Sequence, residues 1–155
     1  MKTDTVLRVV LVAWTAWGCA ARRSPTIVTR DDAQAAAALC AKYPIGETEN
    51  VRIVPVERVT GGSAYLVQVR RGETPHRHLA HDLVVTVLAG QGVLTIGDAQ
   101  RPLRAGDVAI VPRGVPHWFT NTGDRPSVTF AVFVPPLDAP DSVPVDRVDS
   151  APTAR

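Results

Sequence analysis

Residues 106–121 read GDVAIVPRGVPHWFTN. The four apolar residues 108–111 have the length and β-branched character of a strand, and residues 118–120 begin another. Between them Pro112, Arg113 and Gly114 turn the chain, while Gly106 before and Asn121 after supply further turn chemistry. That turn delivers His117. Upstream, His76 and His78 stand two apart in a segment, 74–79, that reads as a strand, so both imidazoles leave one face of a sheet. All four histidines of the chain fall between residues 76 and 117, among apolar strands. Such a gathering of imidazoles points to a divalent transition metal inside a small β-barrel.

The same alternation of short apolar runs and glycine turns extends to both sides. Strands are expected from residue 51, over 64–69, 83–88 and 93–96, and over 128–134, with turns at Gly61-Gly62, Gly90-Gln91-Gly92, Gly97-Asp98 and residues 121–124. A rhythm of this kind means an all-β sandwich or barrel over residues 50–134. Residues 21–49 read as a tether followed by a short helix over 31–42, capped by Thr29 or Asp31 and ended by Pro44 and Gly46. Cys40 on that helix reads as a small buried side chain. Residues 135–155 hold five prolines and no apolar period, so an edge extension and then a largely disordered tail are expected.

The start of the chain has another character. Lys2 and Arg8 precede an apolar stretch, 9–17, and small residues Gly18, Cys19, Ala20 and Ala21 follow, which is the layout of an export signal over residues 1–20. The stretch Ala16-Trp17-Gly18-Cys19 resembles the lipobox of bacterial lipoproteins, although Trp17 and Ala16 are not the usual residues there. The resemblance implies lipidation at Cys19 and a periplasmic or cell-envelope lipoprotein held to a membrane by its lipid; an ordinary cleaved signal is the alternative. The formal charge of +2, with arginines 70, 71, 101, 104 and 113 scattered over separate strands and turns, excludes a nucleic-acid surface. A small molecule is the expected partner.

Gly106, Pro112, Gly114, His117 and Asn121 match every fixed position of G-x5-P-x-G-x2-H-x3-N, the second motif of the cupins. His76-Arg77-His78, followed by VVTVLAGQG at 84–92, resembles the core of the first. The chain is thus similar to a single-domain cupin over residues 50–134, which implies a conical jelly-roll barrel with one metal inside (Fe, Zn, Mn, Ni or Cu), held by His76, His78 and His117. Such barrels frequently pair as homodimers. In the family a glutamate completes the ligand set seven residues before the glycine seen here as Gly90, and that position is Leu83. His81 or Asp82 is the remaining candidate for a fourth ligand, the latter only if a bulge corrects its strand parity.

Parity also turns Phe119 inward and Trp118 outward, and Phe119, Leu83 and Val85 are the expected walls of a substrate pocket. Loss of the glutamate raises the charge of the site by one and favours anionic bidentate ligands. By resemblance to three-histidine iron cupins, the function implied is a metal dioxygenase for a small anionic molecule. A non-catalytic binding module and a sugar or keto-acid isomerase or epimerase are the alternatives. Acid/base chemistry is disfavoured, since Glu57 and Glu73 read as residues of outer strands or loops.

Overall fold

The computed structural model describes residues 24–146. Cys19 and the rest of the export segment, and residues 147–155, lie outside the described residues. Two five-stranded antiparallel sheets, each drawing strands from distant parts of the chain, enclose the core. One carries β3 (Val51–Val59), β4 (Gly62–Val69), β6 (Asp82–Ala89), β9 (Val108–Val111) and β11 (Ser127–Val134) in the order β3-β4-β11-β6-β9. The other carries β5 (His76–His78), β7 (Gln91–Ile96), β8 (Ala99–Arg104), β10 (His117–Asn121) and β12 (Ser142–Pro144) in the order β12-β5-β10-β7-β8. This is the all-β jelly roll expected from the sequence.

The alternation of β11 shows how the sequence builds it. Ser127, Thr129, Ala131 and Phe133 are buried between the sheets, and their neighbours Val128, Phe130 and Val132 face out. Register carries the same alternation across the sheet: Phe133 stands opposite Leu83, and Leu83 opposite Val111. From the second sheet Leu94 and Phe119 join Leu83, Val111, Ala131 and Phe133 in one apolar core. A second cluster forms on the outer face, where Ala36 and Leu39 of α1 (Ala36–Lys42) cover Val54 and Leu66.

Two elements differ from expectation. Residues 26–35 form a hairpin, β1 (Thr26–Val28) paired with β2 (Ala33–Ala35), instead of a tether running into a helix at residue 31. Thr29 and Asp32 hold its turn, since the Thr29 N–H donates to Asp32 O at 2.8 Å and the Asp32 N–H to Thr29 Oγ1 at 3.1 Å. Short polar side chains engaged in this way offer the backbone an alternative to the helix. The helix therefore starts at Ala36, with Ala35 at its cap and no side-chain cap bond. β8 was not anticipated either, because AQRPLR lacks an apolar period. It is an edge strand, where a proline such as Pro102 is tolerated. Residues 135–146 run back along the barrel as an edge extension, where β12 pairs with β5, and the tail beyond them lies outside the described residues.

One close approach sets a limit on sequence. A Cβ at Gly92 would overlap the Phe119 ring and the Thr120 carbonyl, and neither can retreat without moving β10. Gly92→Ala should therefore cost about 1–3 kcal/mol, the usual range for overpacking, read as a lower midpoint in chemical denaturation.

Candidate metal centre

β5 and β10 lie side by side with His76 opposite His117, and His78 follows two residues along the same face. The three rings stand 4.4 Å (His76 and His117), 5.1 Å (His76 and His78) and 5.3 Å (His78 and His117) apart, centroid to centroid. One ligand nitrogen from each can be chosen so that all lie within 4.8 Å of one another. Gly114, at φ +77°, turns the chain ahead of His117, and its N–H donates to the His78 carbonyl at 2.7 Å, which locks the two histidine strands together at the turn.

The outer nitrogen of each ring has an oxygen partner. His76 Nδ1 meets Thr74 O at 2.8 Å, His117 Nδ1 meets Val115 O at 3.0 Å, and His78 Nδ1 meets Asp141 Oδ1 at 2.8 Å. A carbonyl or carboxylate only accepts, so each Nδ1 carries the proton and each Nε2 keeps its lone pair. His117 Nε2 is buried without any hydrogen-bond partner. An orphaned acceptor of this kind is costly unless something cationic meets it. Burial pushes the His117 imidazole down to about 4, against the pull of the Val115 carbonyl. His78 is also lowered by burial, which outweighs the neighbouring Asp141. Asp141, although burial raises it, is drawn down to about 2 by donors from His81, Ala80 and His78. The pair is thus a neutral imidazole donating to a carboxylate. Three imidazoles whose ligand nitrogens lie this close together fit a divalent transition metal.

The histidines form part of the wall of a cavity of about 310 Å³ that is otherwise mainly hydrocarbon. Phe119, Leu83 and Val85 line it, together with Val87, Leu94 and Phe133. Leu83, 7% exposed, therefore places an isobutyl group where the family resemblance calls for a glutamate. Neither candidate for a fourth ligand joins the histidines. Asp82 begins β6 on the opposite parity and turns away to Arg113, whose backbone N–H and Nη2 both donate to it at 2.9 Å. His81, though buried, points its Nδ1 at Asp141 Oδ2 at 2.5 Å and its Nε2 at Pro136 O at 3.3 Å. Asn121 does what its turn position suggests, bonding Gly123 and Arg125 within the turn and also Arg70 and Ser127 beyond it.

Two carboxylates near the site escaped the sequence reading. Glu73 is the only acidic side chain lining the cavity among the described residues, not an outer-loop residue. Its N–H donates to Phe119 O at 2.8 Å and its Oε2 accepts the Phe119 N–H at 2.9 Å, so it is clamped beside β10. Burial raises its carboxyl above the ordinary range, with His76 and the Phe119 N–H pulling the other way. Because β5 is only three residues long, strand parity could not be carried back from His76 to Glu73. Asp141 lies 63 residues beyond His78, in a proline-rich stretch with no signal of its own.

Residues 65–133 match the cupin domain. An uncharacterised protein of Aquifex aeolicus is 37% identical over 101 residues, which span 65% of this chain and 83% of that one. Acireductone dioxygenase of Geobacillus thermodenitrificans is 38% identical over 74 residues, 44% of this chain and only 41% of the enzyme. A Klebsiella pneumoniae protein described as having a double-stranded β-helix domain superposes with a TM-score of 0.59 at 19% identity, over 69% of this chain and 94% of that chain. With two interleaved five-stranded sheets, a histidine pair on one strand and a third histidine opposite them, this chain carries a single cupin domain.

Proposed function

We propose that the protein is a metal-dependent cupin that oxidises a small, anionic, bidentate molecule, as a dioxygenase, in the barrel cavity. The observation that carries this reading is the convergence of one ring nitrogen from each of three histidines, with His117 Nε2 left wholly without a partner, at the wall of a largely hydrocarbon cavity. His76, His78 and His117 would hold the metal. When bound, it supplies a Lewis-acidic, redox-capable centre with coordination positions that the protein leaves open.

The remaining residues set what can enter. With leucine at position 83 the site carries one negative charge fewer than a three-histidine, one-carboxylate set, so an anionic molecule meets less repulsion there. Walls of valine, leucine and phenylalanine exclude water and strengthen every electrostatic contact inside. Glu73 offers the one carboxylate on the cavity wall among the described residues. Its Oε2 is occupied by the Phe119 N–H, which leaves Oε1 to take the proton of an enolisable substrate as it binds. The 38% identity to acireductone dioxygenase over the barrel supports oxygen chemistry of this kind. We also place the protein outside the cytoplasm, tethered through Cys19, on the layout of residues 1–20.

Iron-loaded protein should consume oxygen with a β-diketone or a thiol carboxylate, and His117→Ala should abolish both iron content and uptake. Glu73→Gln should keep the iron and lower turnover about a hundredfold or more with the diketone. Tight binding of these ligands without oxygen uptake would replace the dioxygenase reading by that of a binding module.

Metal-free protein should lose stability as pH falls from about 6.5 towards 4. The folded state keeps His117 neutral down to about 4, whereas the unfolded chain takes up the proton near the ordinary value of 6.5, so acid favours unfolding by up to about 3 kcal/mol. His117→Gln should flatten the denaturation midpoint across that window, and a slope unchanged by the substitution would refute the assignment.

Cells supplied with labelled palmitate should label the wild-type chain, and Cys19→Ala should remove both the label and the membrane association.

A further inference from the structure

We propose that Asp141 is a positioning residue of the metal centre, and that the segment following the barrel is part of the site because it delivers this carboxylate. The inference rests on the three-histidine metal reading and assigns a task to a residue outside the barrel's own strands.

His76 and His117 are oriented by their own segments, each through the carbonyl two residues earlier. His78 is not. Its Nδ1 depends on a side chain 63 residues further along the chain. The register of β12 explains how that side chain arrives, since Ser142 lies opposite His78 and Pro144 opposite His76, with Asp141 immediately before. Ser142 and Pro144 also line the cavity, so the same segment forms part of its wall.

The carboxylate is itself held firmly. Oδ1 accepts from His78 Nδ1, while Oδ2 accepts from His81 Nδ1 at 2.5 Å and from the Ala80 N–H at 3.1 Å. The chain leading to it is fastened by the Leu137 N–H to Ser63 Oγ at 2.9 Å and by Arg58 to Asp138 at 2.5 Å, and the chain after it by the Val145 N–H to Pro75 O at 3.1 Å. The Arg58 pair is exposed, so the weight falls on the enclosed contacts. His81 gains a role here: it is a clasp on Asp141 and no metal ligand.

A carboxylate behind a ligating imidazole fixes its tautomer and raises its basicity more than a carbonyl does. With leucine at position 83, the negative charge nearest the histidines sits on the far side of the His78 ring, on Asp141. Asp141 thus makes one of three otherwise similar ligands the stronger donor.

The test is Co(II) affinity by titration calorimetry and visible absorption, with the metal-free protein as reference. Asp141→Asn should weaken Co(II) binding about 10- to 100-fold, the usual cost of losing such a partner, and shift the ligand-field bands. Asp141→Glu should recover part of the loss, and His81→Ala, which removes one of the donors holding Asp141 but leaves the His78 bond, should weaken binding by less than Asp141→Asn does. Equal affinity and equal spectra for wild type and Asp141→Asn would overturn the proposal while leaving the metal reading intact. Wild-type protein that binds no Co(II) would overturn the metal reading and this proposal with it. Should Asp141→Asn fail to fold, nitrogen-resolved NMR of wild-type protein still decides: an Nδ1-protonated His78 ring is expected, and an Nε2-protonated one refutes the assignment.

Discussion

A single backbone pairing, His76 opposite His117 between β5 and β10, determines where every donor of the site falls. Strand alternation then adds His78 on the same face with no further device. A slip of one residue in that pairing would turn His117 to the opposite side of its sheet and leave two imidazoles facing a hydrocarbon wall. The register is secured on the other edge of β10, where His117 to Asn121 pair in sequence with Ile96 to Gly92, and at the turn, where the Gly114 N–H reaches the His78 carbonyl. Gly92 belongs to the same constraint, since only a residue without a side chain lets Phe119 lie against β7.

Among the described residues the one buried side-chain polar atom without a hydrogen-bond partner, His117 Nε2, belongs to a residue in the wall of the cavity of about 310 Å³. Leaving such an atom unmatched costs about 1–3 kcal/mol. A cation held by His117 would relieve that cost. The rest of the barrel shows no such strain: Ser127 and Asn121 are satisfied by each other and by carbonyls, and Gln68 donates to the helix-end carbonyl of Tyr43.

What the sequence made legible was whatever depends on local period. Alternation along β6 and β10 was enough to put Leu83, Val85 and Phe119 on the inner face, and the glycine turns marked most strand ends. What it hid depends on contacts between distant segments. Asp141 looks like one more polar residue among prolines until β12 is laid against β5. Glu73 sits before a strand too short to carry parity, and its inward aim comes from a backbone clamp on Phe119, 46 residues away. β8 was missed because an edge strand exposed on one face needs no apolar period. The hairpin before α1 was missed because Thr29 and Asp32 serve a turn as readily as a helix cap.

Leucine at position 83 links these hidden residues. A single ligating glutamate would combine two tasks, supplying negative charge to the metal and offering a carboxylate to whatever binds beside it. Here the tasks are divided between residues that the chain brings from opposite ends of the site. Asp141, ionised and engaged by three donors, would act through His78. Glu73, raised by burial and held by one donor, lines the cavity and, on the proposed reading, would be the group that exchanges a proton with a molecule there. With plain hydrocarbon at that position, a bidentate anion would meet no protein carboxylate there.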